Sequence, residues 1–243
     1  MNKITQIYLL LLIAVLTFNS NVQANEISKS SAVKVAIKTT FGDIVAEVYT
    51  DKAPISANHF LELVDRGIYD NTTFYRTVRP NNGPIIEFKK GEPIALCLIQ
   101  GGVGDRVRMT IPTIPHENTQ YTDLSHSDGA LSWGRGKPGT ANFSISIGNN
   151  SGLDFGNKYG FPADGEGYAV FGQVLMGMDV VRKINQQPTD GDWSALENFP
   201  KIIPLEEYKN FSKEELTVIG KFEEIRHPVK IIRADRIFPA NTM

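Results

Sequence analysis

The sequence predicts a mainly β fold, a sandwich or barrel of short strands with few helices. Three observations predict it. Apolar residues alternate with polar ones in short runs, the period of a strand with one buried face. Glycine, proline and asparagine punctuate those runs at close intervals. Few stretches repeat apolar residues at helical spacing.

Taken in order, Val33, Val35 and Ile37 alternate with Lys34, Ala36 and Lys38. Phe41-Gly42-Asp43 is a turn signal, and Ile44, Ala46 and Val48 resume the alternation, so these two strands form an antiparallel hairpin. Pro54 opens a helix, because its missing N–H is not needed in the first turn. Ala57, Phe60, Leu61 and Val64 follow at helical spacing and Gly67 closes the helix. Residues 74–78 read as a strand. Residues 79–92, rich in Pro, Gly, Asn and Lys, read as a loop or an irregular hairpin tip. A buried strand over 94–99 runs into Gln100-Gly101-Gly102 and is expected to bury Cys97. Further strands are expected at 130–133, 143–147 and 169–174. A short helix at 179–184 carries Val180, Val181 and Ile184 on one face. Residues 189–204 read as loop. Ser212 and Glu215 form a capping box for a helix bearing Leu216 and Ile219. Residues 229–232 close the fold as a final strand.

Composition narrows the function. The chain has 243 residues, 41% hydrophobic and 21% charged, as in an ordinary globular domain. Its net charge of −2 lacks the basic excess of a phosphate-contacting nucleic-acid binder, so nucleic acid is not an expected partner. One cysteine forms no internal disulfide. Lys3, the apolar run 7–18 and Val22-Gln23-Ala24 have the pattern of a signal peptide over residues 1–24. The apolar run is too short to span a bilayer. The expected product is exported, periplasmic or secreted, and free of the membrane. The spacing Gly134-x-Gly136-x-x-Gly139 imitates a dinucleotide fingerprint, but a strand follows it rather than a helix, which makes it a glycine-rich turn. The four histidines His59, His116, His126 and His227 show no zinc spacing and read as exposed or structural imidazoles.

From Val33 onward an ordered series of motifs runs through Thr39-Thr40-Phe41-Gly42-Asp43, Ala53-Pro54, Tyr69-Asp70 with Phe74-Tyr75-Arg76, and Gln100-Gly101-Gly102. It continues through Gly129-Ala130-Leu131-Ser132, Leu153-Asp154 and the segment 170–181. In this series the chain resembles the cyclophilin family of peptidyl-prolyl isomerases. The resemblance implies a closed eight-stranded antiparallel β-barrel with capping helices. A single domain over 33–237 would carry insertions at about 79–93 and 187–228. It also implies an enzyme that accelerates cis–trans isomerisation of X–Pro bonds in proline-containing polypeptides, with no cofactor and no metal, working as a monomer. A peptide-binding module with little catalysis is the alternative on the same barrel.

By the same resemblance Arg76 is the catalytic cation and Gln100 bonds the substrate backbone. Leu98, Asn142, Phe143, Leu153 and Tyr168 belong to the substrate-binding set. The sequence departs from the family pattern around them. Cys97 and Ser144 stand where the pattern has phenylalanine, and Gly152 stands where an aromatic is common. Trp133 is a candidate to refill the space left at Ser144. The 187–228 insertion is expected to pack on the barrel as a surface element without a role at the site.

Overall fold

The computed structural model describes residues 32–82, 85–89, 92–94, 96–104, 111–135, 141–156, 164–191, 202–204, 207 and 210–238. Residues 1–24, where the sequence pattern predicts a signal peptide, and most of the glycine-rich turn lie outside them. Eight strands close into an antiparallel barrel: β1 (Val33–Thr39), β11 (Glu224–Ile237), β3 (Thr73–Val78), β6 (Leu98–Gly102), β8 (Asn142–Ser146), β7 (Ala130–Trp133), β9 (Val170–Met176) and β2 (Gly42–Val48), in that order around the wall. The β1–β2 hairpin runs in register from Val33↔Val48 to Thr39↔Gly42. Val35, Ile37, Ile44, Ala46 and Val48 point inward and are buried, which is the face their alternation selects.

Helix α1 (Pro54–Asp65) starts on Pro54 without a side-chain cap of its own. The distant Glu117 supplies one: its carboxylate accepts from Ser56 N at 2.8 Å and Ile55 N at 3.3 Å, an anion against the N–H groups of a helix start. Helix α2 (Thr119–Thr122) is a single turn capped by Asn118. Helix α3 (Met178–Asn185) buries Val180, Val181 and Ile184, the face its spacing predicts. Helix α1 packs on β9 and β11, and α3 on β2, β3 and β6.

Aromatic side chains fill the barrel. Trp133 stacks on Phe171 at 4.7 Å, and Phe60 meets the rings of Phe171 and Phe143 at 5.0 and 5.5 Å. Tyr69 and Phe74 complete the cluster by packing edge-on against Phe143. Burial of each such ring contributes about 1.5–3 kcal/mol through area removed from water.

Four expectations change. Within 189–204, residues 202–204 are strand rather than loop, and in 79–92 the hairpin alternative is the one that forms. Strands β4 (Ile85–Lys89) and β5 (Glu92–Ile94) form a hairpin, and β10 (Ile202–Pro204) pairs in parallel with β4. The two insertions thus make a second, three-stranded sheet together. The strand expected over 94–99 is split, with β5 ending at Ile94 and β6 starting at Leu98. Cys97 lies between them and is half-buried rather than buried. The closing strand begins at Glu224 rather than Val229. A register shift between those residues holds Pro228, which has no N–H for a ladder. The capping box forms as expected at the start of α4 (Lys213–Lys221): Ser212 N donates to Glu215 at 2.7 Å, and Glu215 N to Ser212 Oγ at 3.2 Å. The side chains of Leu216 and Ile219 fall outside the described set.

Candidate active site

One β-bulge sets up the site. On β3, Phe74 pairs with Gly101 of β6, while Arg76 pairs with Gln100. Tyr75 is the extra residue. In a regular strand Phe74 and Arg76 would share a face; the bulge lets Phe74 enter the core and turns Arg76 to the opposite face. From Arg76 a row of directly paired residues then crosses three more strands: Gln100 on β6, Ser144 on β8 and Ser132 on β7. Ser132 Oγ and Ser144 Oγ lie 2.9 Å apart and bond to each other.

Arg76 is held on both flanks. Its Nη1 donates to Gln100 Oε1 at 2.8 Å. Its Nε and Nη2 donate to Glu223 Oε2 at 2.8 and 2.5 Å. The side chain of Arg76 keeps 38% of its surface exposed and that of Glu223 only 13%. Burial by itself would lower the pKa of Arg76, but the charge of Glu223 and its hydrogen bonds outweigh burial and hold the pKa above the ordinary arginine value. Tyr75 and Tyr168 also lie within electrostatic reach of this guanidinium. The arrangement presents a permanent, oriented cation on a rigid strand.

The other expected residues divide. Leu98 is buried on the face of β6 that carries Gln100, and its carbonyl accepts from Asn185 Nδ2 at 3.2 Å. Asn142 pairs with Gly102, and its Oδ1 accepts from Gly104 N at 2.9 Å. Leu153 is buried in a 3-10 turn, Ser151–Leu153, whose last carbonyl accepts from Tyr168 N at 2.9 Å. Tyr168 is half-buried, its ring edge-on to His126. Gly167 permits this approach, since a Cβ there would stand 2.7 Å from the Leu153 carbonyl oxygen.

Phe143 does not belong with them. It is fully buried on the inner face of β8, against Phe60, Tyr69 and Phe74, while its neighbour Ser144 faces the arginine row. Trp133 shares that inner face. Its Nε1 donates to the Ser56 carbonyl at 3.3 Å, so it belongs to the core and does not refill the position of Ser144. His126 is structural: Asp154 accepts from its backbone N–H at 3.0 Å and lies 2.6 Å from its Nδ1, and Ser125 Oγ donates to the same carboxylate at 2.5 Å. Burial raises the Asp154 pKa; the bonds from His126 and Ser125 outweigh that and hold it below the usual carboxylate value. No serine lines up on the far nitrogen of His126 among the described residues, so this cluster is no nucleophilic triad. Among the described residues no group of three or more His, Cys, Asp or Glu side chains is placed to hold a metal ion. Glu223 is the residue sequence reasoning missed. It follows α4 in the long insertion, far from Arg76 along the chain, and belongs to no motif.

The barrel has known counterparts. A family model described as cyclophilin type peptidyl-prolyl cis-trans isomerase/CLD matches residues 33–207. The chain belongs to that family. A peptidyl-prolyl cis-trans isomerase of Acinetobacter baylyi is 32% identical over 171 residues, 69% of this chain and 79% of that protein. Peptidyl-prolyl cis-trans isomerase B of Escherichia coli is 33% identical over 153 residues, 62% of this chain and 82% of that protein. The crystal structure of a Cryptosporidium parvum cyclophilin superposes with a TM-score of 0.54 at 16% identity, over 86% of this chain and 99% of that one. That structural likeness carries the cyclophilin fold alone. Residues 208–243 lie beyond the family match and hold both Glu223 and the closing strand of this cyclophilin barrel.

Proposed function

We propose that this cyclophilin catalyses cis–trans isomerisation of X–Pro bonds in exported polypeptides, with Arg76 as the catalytic cation. The barrier to rotation is near 20 kcal/mol because twisting breaks amide resonance. The twisted proline nitrogen becomes pyramidal and basic, and no covalent chemistry is needed. A fixed cationic donor stabilises that geometry more than the planar one, which is what acceleration requires. Five decades of rate would take about 7 kcal/mol of such selectivity.

The observation that carries the reading is the orientation of Arg76. Three of its five N–H groups bond to Gln100 and Glu223, and the other two, one on each Nη, have no partner among the described residues. Gln100 uses its oxygen on Arg76, which leaves its amide N–H groups for a peptide carbonyl. Proline-containing segments are the substrate class, in keeping with the Cryptosporidium parvum cyclophilin studied in the presence of the dipeptide Ala-Pro. Leu98 and Leu153 supply the apolar surface for the ring. The enzyme works as a monomer, which sedimentation of the purified protein checks.

A protease-coupled proline-isomer assay tests the activity. Arg76→Ala should lower kcat/KM at least tenfold, about 1.4 kcal/mol of transition-state stabilisation, with an unchanged circular dichroism spectrum. Normal turnover in that variant removes Arg76 from the mechanism. Ser144, in place of a pocket aromatic, favours the second reading, a peptide-binding barrel with little catalysis, and the unsubstituted protein in the same assay decides between them. Export is supported by Lys3, the apolar run 7–18 and Val22-Gln23-Ala24. The mature chain should begin at Asn25, and the intact mass of the secreted product should lack residues 1–24.

A further inference from the structure

We propose that Glu223 is a positioning residue of the active site, which makes the root of the insertion between α3 and β11 part of the catalytic apparatus. The inference rests on the reading of Arg76 as the catalytic cation.

Glu223 is built onto the strand that carries Arg76. Its carbonyl accepts from Thr77 N at 2.8 Å, and the next residue, Glu224, pairs directly with Arg76. Buried residues anchor it on either side. Phe222 packs against Gly191, where an added Cβ would come within 2.1 Å of its ring, and Ile225 bridges to Thr189. Two more bonds close this neck: Arg226 N to Pro188 O at 2.9 Å and Asp190 N to Glu224 O at 3.1 Å. The carboxylate is therefore fixed by the neck rather than carried on a loose loop.

A carboxylate in this place has two opposed effects. It offsets part of the positive charge of Arg76, which weakens the donor. It also fixes a long side chain that otherwise holds about 2 kcal/mol of rotamer entropy. One oxygen, Oε2, takes both Nε and Nη2 along one edge of the guanidinium while Gln100 takes the other flank. The plane is locked, with one N–H on each Nη left over. A donor already in place needs no reorganisation as the amide twists, so orientation outweighs the loss of charge.

The test compares Glu223→Ala with Glu223→Gln, whose amide oxygen still accepts from both nitrogens. Glu223→Ala should lower kcat/KM about tenfold, and Glu223→Gln should stay within about threefold of the parent, both with thermal midpoints close to the parent's. The Arg76 Nε proton should exchange with water faster in Glu223→Ala, against an otherwise preserved NMR spectrum. In an Arg76→Ala background, Glu223→Ala should have no further effect, because the two act as one unit. A Glu223→Ala enzyme as fast as the parent or faster overturns the proposal. So does a Glu223→Gln enzyme as slow as Glu223→Ala, or an equal loss on the Arg76→Ala background. Normal turnover in Arg76→Ala alone would instead sink the underlying reading, so the two failures are distinguishable.

Discussion

The two faces of strands β3, β6, β8 and β7 are made from alternating residues of the same short segments, yet they follow different rules. Phe74, Ile99, Phe143, Ile145 and Trp133 line the inner face and are buried to within a few per cent. Arg76, Gln100, Ser144 and Ser132 form the row on the other face. Inside, identity is set by volume; outside, by which polar atom meets which. The lesson is that the residue next to a site residue is not thereby a site residue. Phe143 and Ser144 are neighbours in sequence and separated by the barrel wall.

Substitutions can break this contrast. The largest effect should come from Phe143→Ala, which removes a ring from the centre of the aromatic cluster and should cost about 3–5 kcal/mol of stability. Chemical denaturation measures it, and a loss under 1 kcal/mol would put Phe143 back among the surface residues. Next is Asp154→Asn, which weakens the charge-assisted bonds holding the Leu153 turn and should cost about 2 kcal/mol at neutral pH. The parent enzyme should show the matching pH dependence. The folded pKa of Asp154 lies below its unfolded value, so its contribution is complete above about pH 4 and disappears as pH falls through the folded value. In Asp154→Asn the difference from the parent should shrink steadily with acidification; a constant difference would refute the charge argument.

Ser144→Ala comes third. It leaves Ser132 Oγ without its partner at a cost of about 1 kcal/mol, while kcat/KM changes less than twofold. A large gain or loss of activity would mean that the polar pair shapes the substrate surface directly. The smallest effect belongs to Ser212→Ala at the exposed start of α4, about 0.5 kcal/mol, with activity unchanged. Any drop in activity there would extend catalytic influence from the neck of the insertion into its helix.

Much of the barrel was legible because alternation is a local signal. Val33 to Val48 declare their hairpin unaided, as do the buried positions of α1 and α3. The same alternation, Phe143 and Ile145 against Ser144 and Ser146, also holds the inward placement of Phe143, although the resemblance puts it in the substrate-binding set. Other features had no local signal. The bulge at Tyr75 appears only once β3 is laid against β6. The β4–β10 pairing joins two insertions distant in sequence and runs parallel, so no turn announces it. The start of β11 is hidden because Glu224, Arg226, His227 and Pro228 are polar or lack an N–H, and because their backbone partners lie in β3 and the neck. Glu223 was invisible for the same reason: its meaning comes from where that strand begins.

The seam of the barrel has a kinetic consequence. Strand β11 hydrogen-bonds to β1, the first strand of the described domain, and to β3. A chain emerging vectorially, from a ribosome or a translocation channel, therefore stays an open sheet until residues 224–237 are free to join it. Until then the edges of β1 and β3 are unpaired and available to other strands. The contacts that seal them span nearly the whole domain, the kind that slow folding most. Arg76 gains its Glu223 partner in that same closing event. The guanidinium is aimed only when the barrel is finished, so a half-made molecule has Arg76 without the partner that orients it.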